Sequence, residues 1–432
     1  MIESGGRLRR ALLGTTAIAV LTTSLVGLAP TAVAADARSQ QWYLDAMKAE
    51  EIWKKSTGKG ITVAVIDSGV DPDTPSLKGK VLKGWDASES KGDETDDYSG
   101  HGTTIAEVIV GSGAGGGLRG LAPDAKVIPY RVADTERQNE QAVNAFDVEE
   151  SIKAAADSDA QIINISFASD YYSSNERKAV KYAQSKGKLV FAGAGNNATK
   201  GNKEQYPASY PEAVAVAASG RDGSVAKYSQ HGDSIDIAAP GTSIPGYCDK
   251  SLTKYCVSEG TSFSTAIASA SAALIWSMHP DWTGNQVLRV MLDSAARGEG
   301  WEPNTVSVYL GHGIVRPNAH VSRGEGTPGD PNISPLTNKS TVATPSASAS
   351  ASASASASPG TSDSAAPSAT ASTQAPSGKQ SSDAPVAGSN GSASEDADGG
   401  SSTGLVIGIA AAVVVVVAAA GVVIARRRRT TA

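Results

Sequence analysis

The chain of 432 residues has very little cysteine, little histidine and no excess of basic residues. Its two cysteines, Cys248 and Cys256, have no histidine beside them, which argues against a zinc site at that point. The formal net charge of the whole chain is −6. Residues 1–35 contribute +2 and Arg426–Arg429 contribute +4, so the region between them has a net charge of −12. Such an acidic region argues against nucleic acid as a partner.

The sequence also lacks a compact acidic loop of the kind that binds calcium. The acidic run 93–97 could hold a cation or form a solvated loop, and we interpret it as a solvated loop. We therefore expect no required cofactor and no metal site, and structural calcium has no support in the sequence.

Both ends of the chain have the composition of membrane targeting. Residues 1–34 begin with basic residues, continue with the apolar stretch 11–28 and end in small residues, which is the pattern of a secretory signal peptide. An uncleaved N-terminal anchor is the alternative. Residues 404–425 contain an uncharged run of 21 residues, long enough to span a bilayer as a helix. The basic tail 426–432 predicts a cytoplasmic C-terminus, with everything between the two segments outside the cell membrane.

Composition divides the exported region further. Residues 323–403 include an alternating Ser-Ala run and few large apolar side chains, so we expect a disordered Ser/Ala/Pro-rich linker. In an oxidising compartment Cys248 and Cys256 are expected to form one disulfide, stabilising the fold by about 2–3 kcal/mol.

The remaining residues form an N-terminal extension, 35–60, and one domain, 61–322. Continuous apolar, β-branched runs are typical of parallel strands that are covered on both faces. Such runs occur at 61–66, 126–130, 162–165, 189–192 and 213–217, with helical patterns at 102–112, 145–158 and 174–186. This alternation predicts an α/β fold, a doubly wound, mostly parallel sheet with helices on both faces. The segment 41–55 is predicted to be helical.

Polar residues stand where two of these elements end or begin. Asp67 follows the strand run 61–66; an acid there could orient an imidazole, but aspartate is also an ordinary turn residue. His101 lies between Gly100 and Gly102 at a predicted helix start, and a neutral imidazole is suited to accept and return a hydroxyl proton. The other four histidines lack this setting and are interpreted as surface or packing residues.

Two further residues have a comparable placement. Asn196 follows the strand run 189–192, where its amide could donate to a developing oxyanion or simply form a turn. Ser262 precedes the apolar run 265–275 and therefore lies at the predicted start of a buried helix. Backbone N–H groups and the helix dipole favour negative charge there, although a serine can also be a plain helix cap.

Four motifs in chain order now resemble those of the subtilisin-like serine proteases: Asp67-Ser68-Gly69, Gly100-His101-Gly102-Thr103, Gly195-Asn196 and Gly260-Thr261-Ser262-Phe263. The order Asp, His, Ser is that of the subtilisins and differs from that of chymotrypsin and the α/β-hydrolases. The likeness covers roughly residues 50–320.

The resemblance implies a role for each of these residues. Ser262 would be the acylated nucleophile, His101 the general base and then acid, and Asp67 the group that holds the imidazole tautomer. Asn196 would donate to the tetrahedral oxyanion, with the backbone N–H of Ser262 as the second donor.

The substrate-binding side departs from the family pattern. Ser166, Phe167 and Ala168 lie in a segment that resembles the one pairing with an extended substrate, but the family usually has a Gly-rich end there. Glu107 stands where a small glycine is usual, and the sequence after Phe263 lacks the usual proline. None of these departures touches the motif residues above, but each could alter substrate access.

The order of segments has a narrower resemblance. A signal peptide, a tryptophan-containing extension, a cysteine pair, a linker and one C-terminal anchor are similar to the mycosins, membrane-anchored subtilisin-like proteases associated with type VII secretion in actinobacteria. The stretch from Ala34 to Asp67 is too short for an independently folded inhibitory prodomain. The resemblance implies that residues 35–60 pack on the catalytic domain and leave the site open.

The leading hypothesis is therefore a membrane-anchored serine endopeptidase that acts on exported proteins outside the cell membrane. Its expected partners are protein substrates, the membrane and the type VII secretion core complex. The alternative is a scaffold subunit that stabilises that complex, with proteolysis dispensable. An esterase that uses the same residues is a third interpretation.

Overall fold

The structure is a computed structural model that describes residues 37–88, 91–132, 145–249, 251–299, 301–302 and 305–342. The predicted signal peptide, the anchor with its basic tail, and the linker from residue 343 onwards lie outside the described residues. Within the described ranges, no helix combines the length and the apolar character needed to cross a bilayer.

A sheet of seven parallel strands forms the centre of the described region, in the order β2-β3-β1-β4-β5-β6-β7. Its strands are β1 Thr62–Asp67, β2 Trp85–Asp86, β3 Lys126–Arg131, β4 Ile162–Ile165, β5 Leu189–Gly193, β6 Val214–Ser219 and β7 Ile237–Pro240. A separate antiparallel hairpin pairs β8 Ile244–Tyr247 with β9 Tyr255–Ser258.

Eight α-helices accompany these strands in the described ranges. They are α1 Trp42–Ala46, α2 Ala49–Ile52, α3 His101–Val110, α4 Ala145–Asp157, α5 Ser174–Ser185, α6 Thr261–Met278, α7 Gly284–Asp293 and α8 Pro317–Arg323.

Both faces of the sheet are covered by helices. In β1, Val63 and Val65 belong to a core cluster that also contains residues of α3 and α6, whereas Ala64 and Ile66 belong to a second cluster with residues of α4 and α5. Successive side chains of a strand point to opposite faces, so a strand buried on both faces requires an unbroken apolar run. The predicted α/β class with a mostly parallel sheet flanked by helices is confirmed.

Helix α6 lies in the middle of the molecule. Every residue from Thr261 to Trp276 is buried, and most of these side chains are alanine or serine. Small side chains let the helix approach β4, β5, β6 and β7 closely, and a helix that is apolar on all sides must be buried. Ser262 is its second residue, so the packing of the whole helix fixes the position of that side chain.

The N-terminal extension packs against the domain. The predicted helical stretch is broken at Lys48, whose φ of 58° lies in the left-handed region, so two short helices form. The indole N–H of Trp42 donates to the carbonyl oxygen of Thr242, and that of Trp53 donates to the carbonyl oxygen of Leu121. The described part of the extension is therefore anchored to the domain by one buried and one partly buried tryptophan.

The C-terminal contacts extend beyond the predicted start of the linker at residue 323. The carbonyl oxygen of Pro331 accepts hydrogen bonds from Thr283 and Asn285 at the start of α7. An antiparallel bridge joins Ile333 to Ser340. Ordered contacts therefore continue to residue 342. Hydrogen bonds with the start of α7 hold this segment in place, although its composition resembles that of the predicted linker.

Candidate active site

Asp67 ends β1, and its carboxylate lies against the imidazole of His101. The Oδ1 atom of Asp67 is 2.7 Å from Nδ1 of His101 and also accepts the backbone N–H of Ser68 at 2.8 Å. The Asp67 side chain is fully buried. Because a carboxylate only accepts, Nδ1 carries the proton, and the neutral imidazole keeps Nε2 as an acceptor.

The two glycines beside His101 are required for different structural reasons. Gly100 has a φ of 78°, a left-handed conformation that favours glycine, and it caps helix α3. A Cβ on Gly102 would lie 2.1 Å from the carbonyl oxygen of Gly69, so the chain after Asp67 passes directly over the helix start. His101 thereby packs beside Asp67 while its side chain stays 37% exposed.

Asp97 holds this arrangement together, and its burial corrects the interpretation of run 93–97 as a solvated loop. Its side chain is only 6% exposed, although Asp93 in the same run is exposed. Its Oδ1 accepts from the Ser68 hydroxyl and from the N–H groups of Ser99 and Gly100, and its Oδ2 accepts from the N–H and hydroxyl of Thr103. One carboxylate thus joins the strand end at Asp67 to the first turn of α3.

Asn196 lies after β5 and faces the start of α6. Its Oδ1 accepts the backbone N–H of Thr261 at 2.9 Å and lies 3.1 Å from the Thr261 hydroxyl. A backbone N–H can only donate, so the atom facing it must be the oxygen. The Nδ2 group therefore points away from the Thr261 N–H, and within the part of the chain that the structure describes it makes no hydrogen bond; Asn196 itself is exposed to solvent.

The hydroxyl of Ser262 donates to the carbonyl oxygen of Ser166 at 3.2 Å. Among the described residues it makes no direct hydrogen bond with His101, although the ring of the next residue, Phe263, lies 6.5 Å from the His101 ring. A serine side chain has three staggered positions, and hydrogen bonds of unliganded sites are often incomplete. Rotation about χ1 would turn the hydroxyl away from Ser166.

Comparisons with known proteins identify the family of the chain. A family model, described as the Subtilase family (Peptidase_S8), matches residues 58–313, more than half of the chain. The chain belongs to the subtilase family. Thermitase from Thermoactinomyces vulgaris is 32% identical over 279 residues, which cover 63% of this chain and 95% of thermitase. Subtilisin E from Bacillus subtilis (strain 168) is 33% identical over 265 residues, 61% of this chain and 66% of subtilisin E.

Solved structures of mycosins are similar to this subtilase. MycP1 from Mycobacterium smegmatis is 28% identical with a TM-score of 0.57, and the match covers 70% of this chain and 89% of MycP1. MycP3 protease from the type VII (ESX-3) secretion system is 29% identical with a TM-score of 0.55, covering 65% of this chain and 87% of MycP3. The chain is thus a subtilisin-like serine endopeptidase of mycosin-like structure.

The predicted substrate-binding residues follow β4 beside the start of α6. Ser166 is buried, and its hydroxyl accepts from Asn164, whose own oxygen accepts from Ser269 of α6 at 3.0 Å. Phe167 packs partly into the core, and Ala168 is exposed. In this subtilase the buried chain of hydrogen bonds ties the predicted substrate-binding segment to the helix that carries Ser262.

Glu107 of α3 faces the disulfide hairpin. Cys248 and Cys256 form the predicted disulfide, and the hairpin tyrosines Tyr247 and Tyr255 donate to the carboxyl group of Glu107. Glu107 is fully buried, and burial raises its pKa to about 7. The unusual residue at this position therefore tethers the hairpin to α3.

Proposed function

We propose that the chain hydrolyses peptide bonds through an acyl-enzyme on Ser262, with His101 as proton carrier and Asp67 as its orienting carboxylate. The observation that carries the proposal is the 2.7 Å contact between Asp67 and His101 beside the helix start that bears Ser262. The separate placement of these groups on β1, α3 and α6 is what the subtilisin order of motifs implies.

The proposed reaction begins when the Ser262 hydroxyl rotates toward His101. As its oxygen attacks the scissile carbonyl carbon, its proton passes to Nε2 of His101, and the imidazolium is stabilised by the buried Asp67. His101 then gives this proton to the leaving amine, and the C–N bond breaks. A water molecule, deprotonated by His101, cleaves the resulting ester and frees Ser262. Every step uses groups of this chain, so the proposal requires no cofactor and no metal.

The oxyanion of the tetrahedral intermediate would lie at the N-terminus of α6. The first backbone N–H groups of a helix have no partner within the helix, so that of Ser262 can donate there. The free Nδ2 of Asn196 provides the second donor, because its oxygen is held by Thr261. Both donors are fixed before the reaction, which is what makes such stabilisation effective.

Asn196→Ala is therefore expected to lower kcat by about 10²–10³, the loss known for the corresponding amide of a subtilisin, with little change in KM. Steady-state kinetics on a fluorogenic peptide would measure it. Asn175→Ala, an exposed asparagine of α5, is the matched control. Equal kinetics of the two variants would exclude Asn196 as an oxyanion donor.

Activity is expected to fall as the pH is lowered through the pKa of His101, since only the neutral imidazole accepts the serine proton. Burial alone would lower the pKa of His101, but the charge and hydrogen bond of Asp67 and the charge of Asp97 raise it above its ordinary value of 6.5. The acid limb of a pH profile of kcat/KM measures this value. A midpoint below 6.5 would contradict the expectation.

Asp97→Asn is expected to lower kcat/KM by about 10–10² and to move the acid limb of the profile to lower pH. Asparagine cannot accept hydrogen bonds from all five donors that Asp97 binds, so the first turn of α3 becomes less ordered. Loss of the negative charge also lowers the pKa of His101. Asp93→Asn, an exposed neighbour, provides the comparison. An unchanged midpoint in the Asp97 variant would show that its charge does not act on His101.

We further propose that the catalytic domain works outside the cell membrane, anchored by residues 404–425 and associated with a type VII secretion complex. The support is the composition of the two chain ends together with the likeness to MycP3, a protease from the type VII (ESX-3) secretion system. The experiment compares N-termini of secreted proteins from wild-type, Ser262→Ala and deletion strains. New N-termini that depend on Ser262 support the endopeptidase. Normal secretion and unchanged N-termini in the Ser262→Ala strain, with secretion lost on deletion, would instead identify a scaffold.

A further inference from the structure

An open cavity of about 450 Å³ lies between the segments that follow β4 and β5. One wall, Ala168–Asp170, continues directly from Ser166, whose carbonyl oxygen accepts from the Ser262 hydroxyl. The facing wall includes Asn197, the neighbour of Asn196. The cavity is lined by Ala168, Ser169, Asp170, Asn197, Lys200, Lys203, Gln205 and Gln230.

The position of the cavity determines which substrate residue reaches it. The attacked carbonyl carbon must lie between the Ser262 hydroxyl and the Nδ2 group of Asn196. The side chain nearest to that carbon, two bonds away through Cα, belongs to the residue on the acyl side of the scissile bond. That side chain is therefore the nearest occupant for a cavity whose walls continue from Ser166 and Asn196.

Two buried glutamines line the inner part of this cavity. Gln205 is 6% exposed and Gln230 is 4% exposed. The backbone N–H of Asn197 donates to Oε1 of Gln230 at 2.7 Å, and Nε2 of Gln205 donates to the carbonyl oxygen of Glu204 at 3.1 Å. A Cβ on Gly195 would lie within 3.0 Å of the Gln230 oxygen, so these amides fill the space directly below the chain that leads to Asn196.

The outer part of the cavity has more positive than negative charge. Lys203 forms an ion pair with Asp170 at 2.8 Å. Lys200 makes no ion pair with any residue that the structure describes, so its ammonium group is the uncompensated charge of the lining. In a chain of net negative charge, this local excess is available to an incoming acidic or polar group.

The outer part of the cavity is unsuited to a large apolar side chain. The glutamine amides already have backbone partners, but a phenylalanine or leucine would displace water from the exposed charged groups of Asp170, Lys200 and Lys203 without replacing its hydrogen bonds. Covering polar groups without replacing their hydrogen bonds to water is costly. A basic side chain would be repelled by the positive charge of Lys200. A carboxylate or carboxamide avoids both this repulsion and the loss of hydrogen bonds.

We propose that this cavity selects glutamate or glutamine on the acyl side of the scissile bond and disfavours aromatic, aliphatic and basic residues there. This proposal rests on the proposed function, since it assumes that Ser262 and Asn196 define the point of attack. The substrate class is therefore polypeptides cleaved after Glu or Gln.

The test uses full-length protein and quenched fluorogenic peptides that differ only in the residue before the cleaved bond: Glu, Gln, Phe, Leu or Lys. We expect kcat/KM for Glu and Gln to exceed that for Phe, Leu and Lys by about tenfold or more. Lys200→Glu should lower kcat/KM for the Glu peptide by about tenfold relative to the Gln peptide. Lys178→Glu on α5, an exposed lysine outside the cavity, is the matched charge control and should not change this ratio.

A second variant tests the inner part of the cavity. Gln205→Met keeps a similar length but removes the amide, so the preference should move toward Leu and Phe. Wild-type preference for Phe or Leu would overturn this inference and leave the proposed function intact. Absence of hydrolysis of every peptide, together with absence of labelling by a fluorophosphonate, would overturn the proposed function and this inference with it.

Discussion

Ser262→Ala is expected to lower kcat for peptide hydrolysis by about 10⁶-fold, close to the loss known for the corresponding residue of a subtilisin. In the proposed reaction the oxygen of this hydroxyl becomes acylated, so without it only substrate binding and oxyanion stabilisation remain, and these cannot replace a covalent step. The substitution removes one oxygen from a buried helix and leaves its alanine-rich packing intact. Activity should vanish while the fold remains.

The measurement is kcat on a fluorogenic peptide, with circular dichroism and thermal unfolding as tests of folding. Ser271→Ala is the matched control, because Ser271 lies on the same buried helix and its hydroxyl donates only to the helix carbonyl of Ile267. It should keep near wild-type activity. Retention of more than about a hundredth of the wild-type kcat by Ser262→Ala would contradict acylation of Ser262.

Asp67→Asn is expected to lower kcat by about 10⁴ at neutral pH, although its shape is almost unchanged. The carboxylate holds the proton of His101 on Nδ1, because it can only accept. An amide nitrogen in its place would donate to Nδ1 and leave the proton on Nε2, the atom that must accept from Ser262. The variant would also lose the buried charge that stabilises the imidazolium.

This prediction is tested by kcat at several pH values and by the imidazole NMR signals of His101, which report the tautomer. Asp73→Asn is the control, because Asp73 lies exposed in the turn that follows β1. A loss in Asp67→Asn no larger than in the control would mean that the Asp67–His101 contact is structural only.

Much of the fold could be predicted from the sequence because burial on both faces requires continuous apolar runs. Strand β4 has the predicted bounds, and β1, β3, β5 and β6 differ from the predicted ones by one or two residues. The short β2 and the hairpin β8–β9 have no such signal. Their positions depend on pairing with distant segments: β2 pairs with β3, and the hairpin packs on α3.

The candidate site could be predicted where a sequence motif marks its residues. It could not be predicted where only contacts in the folded chain bring the residues together. Asp67, His101 and Ser262 are recognisable because glycines and strand ends surround them. In sequence Asp97 resembles its acidic neighbours, of which Asp93 is exposed, and only donors from Ser68 and Thr103 reveal that Asp97 is buried. The glutamine-lined cavity is hidden for the same reason, since residues 205 and 230 meet only in the folded chain.

The central claim, that Ser262 is a nucleophile activated by His101, is tested most directly by covalent labelling. Full-length protein is treated with a fluorophosphonate, and the modified residue is located by mass spectrometry of proteolytic peptides. We expect one adduct, on Ser262, which is absent in Ser262→Ala and forms far more slowly in His101→Ala. Absence of an adduct on Ser262 of the folded protein, or equal labelling in the His101 variant, would contradict it.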